Sequence, residues 1–128
     1  MNIEFTTFYA GVLGLFYVAL SFRVIGLRKK YKIGINHGQE KELARAIRVH
    51  GNFAEYVPLA LFLILLLELN QTSVWILHIL GSMLFIGRIL HALGLDKSAG
   101  TSIPRFIGMI LTFLTIVGAS VINIASTY

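Results

Sequence analysis

The chain has 128 residues, 56% of them hydrophobic and 13% charged, with a mean hydropathy of +0.78 and a formal net charge of +5. Soluble domains carry about 25% charged residues, so this composition excludes an ordinary soluble fold and points to one integral-membrane domain of about four spans. There is no cysteine, which excludes disulfides, a cysteine nucleophile and thiolate metal ligands.

The first apolar run, from Phe5 to Leu27, follows Glu4 and holds no basic residue before Arg23. A secretory signal would start basic and have a shorter core, so a retained first helix is expected, over about 5–28. Tyr9 and Tyr17 within it read as interface or packing aromatics. The basic cluster Arg28-Lys29-Lys30-Tyr31-Lys32 closes the run, and a polar connection with turn formers at Gly34, Asn36 and Gly38 follows.

A second helix is expected over about 42–69, with acidic residues in its first turn, where the helix dipole favours them. Such a helix is about 39 Å long at 1.5 Å per residue, against a hydrocarbon core of about 30 Å. Its first turns, with Arg45 and Arg48, therefore belong in the headgroup region, and Asn52 and Glu55 fall just inside. Pro58 cannot donate to the carbonyl of Ala54, so a local kink or a substitute partner is expected there.

Glu68 to Ser73 form a short turn without a basic residue. A third helix is expected over about 74–95, with Trp75 as an interface anchor and Arg88 and His91 near its end. After a connection at Asp96 to Ser102, a fourth helix is expected over about 103–124, opened by Pro104 in its first turn and then Arg105. All eleven Lys and Arg then lie on one side of the membrane, around the first and third connections. The positive-inside rule puts those connections in the cytoplasm and both termini outside. This accounts for the net charge without nucleic acid. The economical fold is all-α, an up-and-down four-helix transmembrane bundle.

One stretch stands out, Arg48-Val-His50-Gly-Asn52-Phe-Ala-Glu55-Tyr56-Val-Pro58. Arg48, Asn52, Glu55 and Tyr56 are spaced i, i+4, i+7 and i+8, within one helical stripe. Polar groups at this depth must face protein or water rather than lipid. Arg88 and His91 add an i, i+3 pair, and Arg23, Arg28 and Arg105 end or begin helices on the same side. One depth thus collects at least five basic groups and a single embedded carboxylate, Glu55. An anionic ligand is the expected missing partner, because the arginine fork suits carboxylates and phosphates. Glu55 is left to take a cation, either an arginine or a ligand amine. No two histidines have i, i+3 or i+4 spacing, so no metal site is expected. His50 and His78 read as surface or packing residues. The bland reading of the stripe is a structural network, since polar contacts commonly hold membrane helices together. The glycines at 11, 14, 81, 87, 108 and 118 read as close-packing positions.

At these residues the chain resembles the MAPEG family, membrane-associated proteins in eicosanoid and glutathione metabolism. The motif is Arg-x-x-x-Asn-x-x-Glu-Tyr/Thr-x-Pro, present as Arg48, Asn52, Glu55, Tyr56 and Pro58, with Arg88-x-x-His91 and Arg28-Lys29-Lys30 in support. The segments from Ala46 to Pro58 and from Gly87 to His91 are similar to the small bacterial inner-membrane members. The resemblance implies a homotrimer, with glutathione between neighbouring subunits near the cytoplasmic side. Arg28, Arg48, Asn52, Glu55, Tyr56, Arg88 and His91 would hold it, Glu55 against the α-amine, and Arg105 would stabilise the thiolate. Membrane lipid and a hydrophobic electrophile or lipid hydroperoxide are the implied partners. Family members often carry a tyrosine one turn after the His91 position; this chain has Leu95 and lacks that hydroxyl. A non-catalytic lipid- or glutathione-binding adaptor is therefore the alternative to a transferase or peroxidase. A transport subunit is a third, more distant reading.

Overall fold

The structure is a computed structural model that describes residues 2–97 and 102–128, with side chains described at all of these except 95–97. Four helices follow one another, α1 (Glu4–Tyr31), α2 (Lys41–Leu69), α3 (Val74–Lys97) and α4 (Ile103–Ala125), and no strand occurs among the described residues. Each is long and apolar enough to cross a membrane. The molecule is an all-α integral-membrane four-helix bundle. One end carries the termini and the α2–α3 turn; the other carries the two basic connections and is called the basic end below.

The helices pack by one-sided stripes. On α2 the core positions are Val49, Phe53, Val57, Ala60, Ile64 and Leu67, all buried, at spacings of three and four. They meet Leu13 and Leu20 of α1, Leu77, Leu80 and Leu84 of α3, and Ala119 of α4. The opposite face of α2, with Ala54, Glu55, Leu59 and Phe62, is exposed. Lipid tails are as apolar as leucine, so close van der Waals fit rather than expulsion from water holds such helices together. The fit is tightest between α3 and α4. A Cβ on Gly108 would lie 2.5 Å from the Gly87 carbonyl oxygen and 2.6 Å from the His91 nitrogen. Glycine is needed there because the two backbones touch. By contrast, nothing lies within 4 Å of a Cβ on Gly11 or Gly14, so these two are not close-packing positions within the chain. Helix α1 contacts α2 and α3 but not α4.

The termini end closes on itself. Ile3 offers α1 no side-chain cap. Glu68, in the last turn of α2 and only 7% exposed, does so from across the bundle. Its Oε1 accepts from Phe5 N at 2.9 Å and its Oε2 from Thr6 N at 2.6 Å. A carboxylate at a helix N-terminus satisfies orphan donors and meets the positive end of the dipole. Sequence reading left Glu68 in a turn; the structure makes it a second embedded carboxylate. Nearby, Tyr9 Oη lies 3.0 Å from His78 Nδ1 and 3.1 Å from Ser82 Oγ, with its ring against Gly81.

At the basic end α1 runs on to Tyr31, and Tyr31 Oη donates to Glu42 Oε2 at 2.7 Å, tying α1 to the start of α2. His50 is a packing residue. It stacks on Tyr17 at 4.7 Å between ring centroids and its Nε2 lies 2.9 Å from Ser21 Oγ. Helix α2 is uninterrupted through Pro58. Ser102 caps α4, its Oγ accepting from Arg105 N at 3.4 Å, with Pro104 in the first turn.

Candidate functional site

Three helices converge on a cavity of about 210 Å³ at the basic end. Lys41, Ala44, Arg45, Arg48 and Asn52 line it from α2, His91 from α3 and Arg105 from α4. The α2 residues continue one stripe upstream from the motif, Lys41, Arg45, Arg48 and Asn52 at i, i+4, i+7 and i+11. Ala44, a small side chain, leaves the space. The α3–α4 seam brings the remaining wall into place: a Cβ on Gly94 would fall 2.4 Å from Arg105 N. Four lining residues are cationic and none of the described ones is acidic.

Behind this wall lies Arg88, 1% exposed. Its Nη2 donates to Asn52 Oδ1 at 2.6 Å and lies 3.4 Å from His91 Nδ1. Its Nη1 reaches Thr112 Oγ1 at 3.4 Å and Met109 Sδ at 3.8 Å, and its Nε has no partner among the described residues. The guanidinium also sits 5.8 Å from the centre of the Phe53 ring, within cation–π range. Its partners are thus an amide, an imidazole, a hydroxyl, a thioether and a ring. A buried charge with only neutral partners is costly unless an anion lies close.

Of the eight residues singled out from the sequence, Arg48, Asn52, His91 and Arg105 share the cavity. Arg88 reaches it only through Asn52 and His91. Glu55 pairs with Arg48 at 3.3 Å on the outer face of α2, where the two side chains are 54% and 55% exposed. Tyr56 packs edge-on against Phe113 of α4, 5.5 Å between ring centres. Arg28 turns the other way. Its Nη1 donates to the carbonyls of Asn36 at 2.8 Å and Ile33 at 3.3 Å, bracing the first connection. The side chain of Leu95 and most of the third connection lie outside the described residues. Sequence reading assigned Arg45 to headgroups and did not single out Lys41. The signal was the four-residue periodicity continuing above Arg48.

A membrane bundle with a cation-lined cavity at its basic end is the class of protein that fold and site define. The chain belongs to the MAPEG family, whose sequence profile matches residues 6–125. It is 41% identical over 86 residues to the inner membrane protein YecN of Escherichia coli strain K12, and equally so to that of Escherichia coli O6:H1. The matched stretch covers 67% of this chain and 66% of the relative's own length. No solved structure matches the chain.

Proposed function

We propose that this protein is a bacterial inner-membrane glutathione transferase or peroxidase. The observation that carries the reading is the cavity in which Arg48, Arg105, Asn52 and His91 converge, with Lys41 and Arg45 at the same wall. Glutathione presents two carboxylates and one amine, and arginine forks suit carboxylates. Arg48 and Asn52 would bind them, and Arg105 would favour the thiolate over the thiol, whose ordinary pKa is about 8.5. The family membership and the inner-membrane relative are consistent with this placement.

In conjugation the thiolate sulfur bonds to an electrophilic carbon as the leaving group departs with its electron pair, and the thiol proton goes to solvent. In the peroxidase reaction two thiols reduce one lipid hydroperoxide to an alcohol and water and become the disulfide. An electrophile dissolved in the bilayer meets a thiolate held at its edge, and proximity supplies part of the rate. The basic end faces the cytoplasm in this reading, following the positive-inside rule. The half-exposed Arg48–Glu55 pair on a membrane helix supports assembly with further copies, since an ion pair is costly against lipid. In a homotrimer a neighbour would cover that face, Glu55 and Tyr56 would meet ligand bound between subunits, and Arg28 would come from the adjoining copy.

The test is thermal unfolding of the detergent-solubilised protein with millimolar glutathione, followed by turnover of a small aromatic electrophile. Stabilisation and turnover are expected for the wild type, with stabilisation lost in Arg48→Ala and turnover lost in Arg105→Ala. Absence of stabilisation in the wild type would end the glutathione reading. The residue at position 95 favours one alternative, a non-catalytic binding protein, because Leu95 offers no hydroxyl. Stabilisation without turnover of any electrophile or hydroperoxide would select it.

A further inference from the structure

Arg88 is 1% exposed and does not line the cavity, yet it touches two residues that do. A guanidinium has five N–H donors and no acceptor. Whatever stands against it must therefore offer a lone pair, which removes the usual ambiguity of amides and imidazoles.

For Asn52, the atom 2.6 Å from Arg88 Nη2 is the amide oxygen. The amide nitrogen, with two protons, is what Asn52 has left for the cavity. For His91, the atom 3.4 Å from the same Nη2 is Nδ1. It must carry the lone pair, so the proton is on Nε2. An imidazole with its proton on Nδ1 would set donor against donor. The His91 ring has little room to evade this, because the residue is only 2% exposed. Thr112 follows the same logic: its hydroxyl donates to the Gly108 carbonyl at 2.8 Å and so accepts from Arg88 Nη1.

We infer that Arg88 is a positioning residue that holds Asn52 and His91 donor-side toward the cavity, so that its neutral wall, like its cationic one, accepts only ligand groups presenting lone pairs. The class of ligand group taken there is a carboxylate, thiolate or other acceptor-only anion. An amine or a donating hydroxyl is turned away. The inference rests on the cavity being the ligand site proposed above, and it adds the orientation of the two neutral residues and its cause.

The His91 tautomer can be read without any ligand, from the nitrogen-15 shifts of histidine-labelled full-length protein in detergent micelles. His91 is assigned by the signal that disappears in His91→Gln. The wild type is expected to show the Nε2–H tautomer. Arg88→Lys, still donor-only, is expected to keep it, and Arg88→Met to lose it or give a mixture. An Nδ1–H tautomer in the wild type overturns the inference, as does an unchanged tautomer in a folded Arg88→Met. Asn52→Asp supplies the second arm. Its carboxylate pairs with Arg88 at least as well as the amide does, so once salt screens the added charge a purely structural Asn52 predicts no loss. The donor role predicts glutathione binding weakened about tenfold or more, with the unfolding temperature unchanged or raised, because a ligand carboxylate then faces an acceptor. Binding as tight as the wild type's would overturn the inference. Should the wild type bind no glutathione, the functional reading fails, while the tautomer measurement still decides the role of Arg88.

Discussion

The two ends of the bundle treat their polar groups in opposite ways. At the termini end, Glu68 spends both oxygens on the first amides of α1, and Tyr9 closes on His78 and Ser82. These groups answer one another, and what they hold together is the bundle. At the basic end, Arg48, Arg105, Lys41 and Arg45 gather around a cavity, with Asn52 and His91 held from behind by Arg88. Polar groups that close on each other stabilise a fold, whereas cations gathered around a space leave room for the anionic ligand proposed above. Polarity alone does not mark a candidate site; cations of two helices beside a void do.

That contrast can be broken experimentally at both ends. The largest effect is expected for Gly108→Ala. Its Cβ would meet the Gly87 carbonyl and the His91 nitrogen, and overpacking of this kind costs about 1–3 kcal/mol. Thermal unfolding should fall, and glutathione should no longer raise it, because the displaced residue carries His91. Glu68→Gln comes next. An amide accepts from one of the two α1 amides but sets its own N–H₂ against the other, a loss of about 1–2 kcal/mol. Unfolding temperature should drop while the shift produced by glutathione stays as in the wild type. A changed ligand response would show that the ends are coupled. Tyr9→Phe removes one hydroxyl from a partly buried cluster and should cost about 1 kcal/mol, again without touching ligand binding. Lys41→Ala sharpens the other side of the comparison. This exposed cation should leave unfolding unchanged and weaken glutathione by a few-fold, the scale of an exposed ion pair at about 0.2–1 kcal/mol. Raising salt from low to physiological strength should shrink that difference.

Much of the site could be read in advance because it sits on one helix. Arg48 and Asn52 are neighbours by periodicity alone, and the continuation to Arg45 and Lys41 was visible in the same spacing. Helix termini were legible for a similar reason. Pro104 marked the start of α4, while the basic cluster expected to close α1 at about 28 lies in its last turn, the helix running on to Tyr31. What spacing did not reveal is which partner each charged residue takes. On paper Glu55 takes either an arginine or a ligand amine, and the spacing names neither its partner nor that of Arg88. In the fold Arg88 bonds Asn52, 36 positions away, while Glu55 faces outward with Arg48. Arg28 reads as one more cation for the site, but the αL turn at Lys32 brings the carbonyls of Ile33 and Asn36 back to it. Glu68 reads as part of a turn, and only the antiparallel return of α2 along α1 sets it at the head of the first helix.

By itself, then, the sequence determined four membrane-crossing helices, the gathering of all basic charge at one end, and the polar stripe of α2. Hydropathy, charge asymmetry and the 3.6-residue period are local properties that survive without any knowledge of packing. The tertiary structure alone decided that Arg48 and Arg105 share a cavity, that Arg88 stands behind it, and that Glu68 closes the far end. Those outcomes depend on the register and separation of neighbouring helices. Between α3 and α4 the Gly87 and Gly108 backbones approach so closely that a Cβ on Gly108 has no room, and no periodicity within a single helix encodes that fit.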